Sequence, residues 1–356
     1  TTDGRYPYLP LQMYLSAGAF WAAGTWHLPF VVLVKLPVVL VDGLLAGGIM
    51  IGLRRHGWSR SAAARSGLLY AVNPISMLVA SVHGQFDALP LFALIVAWAV
   101  LAPGRRNAAV WAGLALGTAI FIKTWPLLLL PAYLCTLRTR RERLMFGALA
   151  LGMPLIGTVT YSVLAHVPLR VIVRTVAGYD GIPASWGLAL LASVAGLAPA
   201  TGAHALGLGL DLLCLLAVAA ALMGLRTRAV PTAALATLLA FYAFAGSGSP
   251  QYLLWIVPFG LMMAPTSVPW MQRYIVLCSV ALATIELLGG FTYYGTAPPT
   301  WRGHDVLMTV SFVALWLLFC AWGLALLSGR LRASGRCDGL AKALSAAWRL
   351  RYDRVR

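Results

Sequence analysis

Apolar residues run in long blocks along this chain, and the polar positions between them fall into two kinds of gap. Blocks at 28–53, 66–82, 86–103, 107–122, 124–137, 145–165, 205–224, 229–246, 251–266, 270–290 and 305–328 read as the spanning segments. One kind of gap is arginine-rich: Arg54–Arg65, Arg105–Arg106, Arg138–Arg143, Arg226–Arg228 and Arg330–Arg356, with Gln272-Arg273 as a weaker sixth. The other kind mixes acids, imidazoles, amides and aromatic residues. The two kinds alternate along the chain, and that alternation predicts topology. With every basic gap on the cytoplasmic side, eleven crossings carry the chain from outside at Thr1 to inside at the tail.

The pattern predicts an all-α polytopic membrane protein. Residues 1–328 form one transmembrane domain and 329–356 a basic cytoplasmic tail. Residues 1–27 read as an outer loop. Residues 187–200 are apolar, but a crossing there inverts everything after it, so a short re-entrant or interfacial helix is expected. A start outside the membrane implies a signal or first helix upstream of Thr1. Segments 107–122 and 124–137 are too short for a full crossing. Their tip, Lys123-Thr124-Trp125-Pro126, is therefore expected below the membrane surface, where the ammonium needs a watery cavity or an anionic partner. In the tail, Leu340, Leu344 and Trp348 recur among basic residues as an amphipathic surface helix would have them, and a solvated tail fits equally well.

Composition changes this picture little. The chain is 60% hydrophobic and 10% charged, which excludes a soluble domain of its 356 residues. The net charge of +17 would suggest nucleic acid in a soluble protein, but here the arginines sit in loops and tail, so no nucleic-acid partner is expected. The five cysteines show no metal-site spacing and read as small apolar residues.

The candidate chemistry lies in the polar gaps assigned outside. These are Asp3-Gly-Arg-Tyr-Pro-Tyr-Leu-Pro10, His83-Gly-Gln-Phe-Asp87, Lys123-Thr-Trp-Pro126, His166–Trp186, Ser247–Tyr252 and Phe291–Asp305. Carboxylates, imidazoles and cations gathered on one face are what transfer from a phosphate ester requires. A carboxylate deprotonates the attacking hydroxyl, and cations stabilise the departing phosphate. Each cluster also has a plain structural explanation. Asp87 could pair with His83, Lys123 could snorkel to headgroups, and Asp180 could form a turn. His304-Asp305 could cap a helix, and Gln251-Tyr252 could anchor a loop. Asp42 lies mid-membrane with Lys35 two turns away, as in a structural ion pair.

The order of these motifs resembles the C-type glycosyltransferases (GT-C), integral membrane enzymes that use polyprenyl-phosphate sugars. The likeness is greatest to bacterial polyprenol-phosphate-mannose-dependent mannosyltransferases. It rests on Tyr6-Pro-Tyr-Leu-Pro-Leu11, Lys35-Leu-Pro37 followed by Asp42, and Asn73-Pro74 followed by His83-Gly-Gln-Phe-Asp87. Two later blocks, Lys123-Thr-Trp-Pro126 and Ser249-Pro-Gln-Tyr-Leu-Leu-Trp255, complete it. The resemblance implies inverting transfer of a hexose, mannose foremost, from a polyprenyl-phosphate carrier to a glycan or glycolipid acceptor on the outer face of the plasma membrane. It implies that Lys123, Arg170 and Arg174 bind the donor phosphate, that His83, Gln85 and Asp87 line the sugar or acceptor pocket, and that Gln251 and Tyr252 face the same cavity. Arg5, Tyr6, Trp125, Tyr179, Asp180 and His304 complete the expected substrate-binding set. The family's general base lies upstream of the Tyr-Pro stretch, where Asp3 is the one acid in this chain, and a base upstream of Thr1 is the alternative. No cofactor is required; a divalent metal, which related enzymes sometimes use, is an open alternative that the residues do not indicate. A transporter or lipid flippase, or a non-catalytic homologue, are the competing readings.

Overall fold

The computed structural model describes residues 8–103, 107–177, 182–183, 186–196, 229–245, 247–263, 268–285 and 302–328. The main helices are α1 (Pro10–Trp26), α2 (Phe30–Arg55), α3 (Arg60–Ala71), α4 (Ala88–Val100), α5 (Ala108–Ile122), α6 (Arg140–Leu164), α7 (Leu169–Ala177), α8 (Gly187–Val194), α9 (Val230–Phe244), α10 (Val268–Ala283) and α11 (Arg302–Leu327). Among the described residues the extended structure is one two-residue antiparallel ladder, Ile182 opposite Gly248 and Pro183 opposite Ser247.

Phe30–Arg55, Arg60–His83, Arg140–Leu164 and Val306–Leu327 are long and apolar enough to cross a membrane. Ala88–Val100, Ala108–Ile122, Trp125–Leu134, Val230–Phe244 and Val268–Ala283 are shorter apolar helices. The outward surface is apolar too. Leu44, Leu155, Ile156 and Leu324 are all at least 59% exposed, and a soluble protein does not present such a surface over its whole girth. The expected segment 205–224 lies outside the described residues.

Local signals start and stop these helices. Thr139 and Glu142 form a capping box at the start of α6: the Thr139 hydroxyl accepts from the Glu142 N–H, and Glu142 Oε2 accepts from the Thr139 N–H at 2.9 Å. Ser59 caps α3 by accepting from the Ala62 N–H. Asn73 accepts from the Ile75 N–H, and Pro74 takes the first helical position.

One element departs from the expected pattern. Residues 10–26 were expected in an outer loop and instead form α1. Pro10 opens it at the first helical position, and His27 closes it in a left-handed conformation (φ 51°), its N–H donating to the Ala23 carbonyl. Gln12, Ser16 and Thr25 interrupt its apolar run. The short helix expected within 187–200 forms as α8, Gly187–Val194. At about 12 Å it is too short to cross a bilayer, and it packs on α9 and α11.

Close approach of α5 and α6 has a visible cause. Gly113 and Gly117 lie one turn apart on α5, and a Cβ on either would stand 2.8 Å from the Phe146 carbonyl oxygen or 2.9 Å from that of Leu149. Small residues at this spacing let two backbones touch where lipid offers no hydrophobic drive to associate. Around this contact α2, α4, α5 and α6 pack in sequence, and α9, α10 and α11 form a second group. One apolar core, including Leu116, Tyr133, Trp255 and Phe319, runs through both.

Candidate functional site

The polar gaps between helices come together around one ion pair. Asp87 immediately precedes α4 and is wholly buried (0% exposed), and Lys123 immediately follows α5 and is 5% exposed. Lys123 Nζ donates to Asp87 Oδ2 at 2.7 Å. The other carboxylate oxygen, Oδ1, accepts from the Trp255 indole N–H, also at 2.7 Å. Both oxygens of a buried carboxylate are thus engaged, as the cost of leaving such a charge unpaired demands. The anionic partner expected for Lys123 is Asp87. The expected pairing of Asp87 with His83 is not what forms, since that ring instead faces Gln85 (Nε2 to Nε2, 3.2 Å).

Aromatic rings enclose the pair. Lys123 Nζ lies 4.9 Å from the Phe86 ring centroid and 5.4 Å from that of Tyr8, within cation–π range. Tyr8 and Phe86 meet edge to face at 4.9 Å. Trp125 stacks on Trp255 with centroids 4.1 Å apart and planes 10° apart, and Tyr252 covers Trp255 at 4.3 Å. Tyr252 and Trp255 are three residues apart at a 3₁₀ turn, Pro250–Leu254. Side chains at that spacing eclipse in a 3₁₀ turn, which is why these two rings meet.

Irregular backbone within a bundle of membrane helices needs internal partners, because lipid supplies none. The Tyr242 hydroxyl donates to the Tyr252 carbonyl, and the Tyr274 hydroxyl to that of Leu253. The Ser249 hydroxyl donates to Gln251 Oε1, fixing the buried amide. A second irregular piece, the π-helical run Met77–His83, ends just before the Gly84-Gln85-Phe86-Asp87 turn. Its last carbonyls are taken by Lys35 Nζ, 3.3 Å from Ser81 O and 3.0 Å from Val82 O. Gly84 has φ 77°, a left-handed conformation that favours glycine, and a Cβ there would stand 2.4 Å from Lys35 Cε and push that side chain aside.

Lys35 therefore does not pair with Asp42, as the sequence suggested. Asp42 accepts from the Tyr70 hydroxyl at 2.7 Å and from the Ser76 hydroxyl, which ties α2 to α3 and to the turn after it.

Of the predicted site residues, the structure brings together Asp87, Lys123 and Trp125, with Tyr252 added through Trp255. His83, Gln85 and Gln251 lie on the adjoining turns. Arg170 and Arg174 stand one turn apart on the exposed face of α7, which packs on α6. His304 belongs to the first turn of α11, and its side chain lies outside the described set. Asp3, Arg5, Tyr6, Tyr179 and Asp180 also lie outside the described residues. Sequence reasoning missed Trp255 as the second partner of Asp87 and Phe86 as part of the aromatic wall. The spacing Tyr252-x-x-Trp255 after Pro250 was the available signal for the first. Nothing local marks the second.

No family model matches this chain, and neither does any curated protein or any solved structure. The functional reading therefore rests on residues and geometry.

Proposed function

We propose that this protein is a GT-C-type glycosyltransferase. In this reading it is a multi-pass plasma-membrane enzyme with eleven crossings and a cytoplasmic basic tail. It transfers a hexose, mannose foremost, from a polyprenyl-phosphate carrier to a glycan or glycolipid acceptor on the outer face. The observation that carries the reading is convergence. The segments around Tyr8, Asp87, Lys123 and Tyr252 are far apart in the sequence and include most of the motifs that resemble the family, yet they meet around one ion pair. Buried beside it, Gln85 Oε1 and Trp125 Nε1 have no hydrogen-bond partner, an acceptor and a donor of the kind a sugar hydroxyl satisfies.

In the proposed transfer the acceptor hydroxyl attacks the anomeric carbon and loses its proton to a carboxylate. The bond from that carbon to the phosphate oxygen breaks, and the carrier leaves as polyprenyl phosphate with inversion. Asp3 is the proposed base. Lys123 is held by Asp87 and flanked by two rings, so in the unliganded chain its charge is already balanced. The exposed guanidiniums of Arg170 and Arg174 offer the donor phosphate a first contact, and Lys123 joins once that cover shifts.

The test is transfer by the purified chain in vesicles supplied with radiolabelled polyprenyl-phosphate mannose. Labelled product together with freed polyprenyl phosphate is expected. His83→Ala should cut transfer by about tenfold, the upper end for a lost neutral hydrogen bond of ~1.5 kcal/mol, with the unfolding midpoint unchanged. Movement of intact donor across the bilayer without transfer would refute the reading in favour of a transporter.

A further inference from the structure

We infer that the corner between α2 and α3, at the opposite end of α2 from the Lys35 contacts, binds the phosphate headgroup of an anionic phospholipid. This inference needs the chain to be in a membrane and does not rest on the transferase reading.

The corner holds an open cavity of about 480 Å³ lined by Met50, Ile51, Arg54, Arg55 and Arg60. Three of the five lining residues are arginines, and no acid is among them. No Asp or Glu occurs anywhere from Gly43 to Phe86. Among the described residues none of the three guanidiniums forms an ion pair, and all three residues are exposed. Arg54 donates through Nη1 to the Trp58 carbonyl at 2.7 Å. That contact braces the turn and leaves other donors of the guanidinium unused. A guanidinium presents a planar fork that matches phosphate oxygens.

The helix ends make the uncompensated charge costly. Arg54 and Arg55 lie in the last turn of α2, where cations are favoured, but Arg60 opens α3, whose first turn holds no acid. A cation at the positive end of a helix is unfavourable, and an anion there relieves it. The lining is also amphipathic. Met50 and Ile51, 39% and 48% exposed, sit toward the membrane interior from the arginines and continue into the outward Leu44 on α2. A soluble phosphate uses only the cationic half of this cavity, whereas a phospholipid uses both, its head on the arginines and the start of its chains along Met50 and Ile51. Basic pockets beside membrane helices suit such headgroups.

The test uses the full chain purified from vesicles of mixed phosphatidylglycerol and phosphatidylcholine, with native mass spectrometry counting retained lipid. One phosphatidylglycerol should stay bound in preference to phosphatidylcholine. The Arg55→Gln/Arg60→Gln variant should lower its retention at least about tenfold, while Arg138→Gln/Arg140→Gln, in another basic loop, should not. Millimolar inorganic phosphate should fail to displace it. Equal retention of both lipids, unchanged retention in the Arg55/Arg60 variant, or an equal loss in the Arg138/Arg140 variant would each overturn the inference. Displacement by phosphate would reduce the corner to a soluble-anion site and overturn it as well.

Discussion

Replacing Lys123 by Met removes the ammonium from a carboxylate that is wholly buried. The methionine fills nearly the same space, so the expected loss is electrostatic. Deleting one partner of a buried pair typically costs about 3–5 kcal/mol, because the other charge is stranded. Here Asp87 keeps the Trp255 N–H at 2.7 Å, a bond to a charged group of about 1.5–3 kcal/mol. The lower end, about 3 kcal/mol, is therefore expected for Lys123→Met. Asp87→Asn strands the ammonium instead, though the Phe86 and Tyr8 rings still face it, and a similar loss of about 3 kcal/mol is expected. The double variant Asp87→Asn/Lys123→Met removes both charges and should cost about 3 kcal/mol less than the sum of the singles, the upper end of couplings between contacting residues. Denaturation of the chain in mixed micelles, followed by tryptophan fluorescence, reads all three, since Trp125 and Trp255 stack beside the pair. If each single change costs under about 1 kcal/mol and the double is their plain sum, within the ~0.5 kcal/mol expected of independent sites, the pair is not a buried structural unit and the reasoning fails. The double variant also separates fold from function. If it still folds and unfolds cooperatively but transfers sugar at least about tenfold more slowly, Lys123 has a second task at the phosphate.

Two further outcomes follow from the packing. Gly117→Leu should drive α5 and α6 apart and cost about 1–3 kcal/mol, as overpacking does. Gly147→Ala on α6, whose added Cβ meets nothing within 4 Å, should be neutral or stabilising by up to ~1 kcal/mol in the same denaturation assay. Beyond the end of α2, burial pushes the His56 imidazole below its ordinary value of 6.5, opposed by the Trp98 carbonyl that its Nε2 faces at 3.1 Å. The folded chain thus takes up this proton less readily than the unfolded chain. Its stability is fully present above about pH 6.5 and falls as the pH drops through that value toward the lower folded one. Unfolding midpoints compared at about pH 7.5 and about pH 5.5 should differ more for wild type than for His56→Gln, and equal differences would exclude His56 as the source.

The sequence by itself determined what depends on near neighbours in the chain. Blocks such as 28–53 and 145–165 declared membrane helices because crossing lipid requires an unbroken apolar run, and α2 and α6 follow them closely. The helix starts at Thr139 with Glu142 and at Asn73 with Pro74 are equally local, because a cap is satisfied within three residues. The polar turns at 83–87 and 123–126 stood out because such groups interrupt apolar blocks only at a cost. The helix α1 escaped because Gln12, Ser16 and Thr25 interrupt its apolar run, although Pro10 and Pro29 bracket it. Tertiary structure decided the partners. Asp42 and Lys35 share a helix face and read as a pair, yet Tyr70 and Ser76 take the carboxylate and the Ser81 and Val82 carbonyls take the ammonium. Asp87 has His83 four residues away and chooses Lys123 and Trp255, 36 and 168 residues distant. A buried charge goes to whichever opposite charge or donor the packed helices bring within hydrogen-bonding reach. That depends on how the glycines of α5 seat it against α6 and on how the 3₁₀ turn aims Trp255, and spacing along the chain does not encode it.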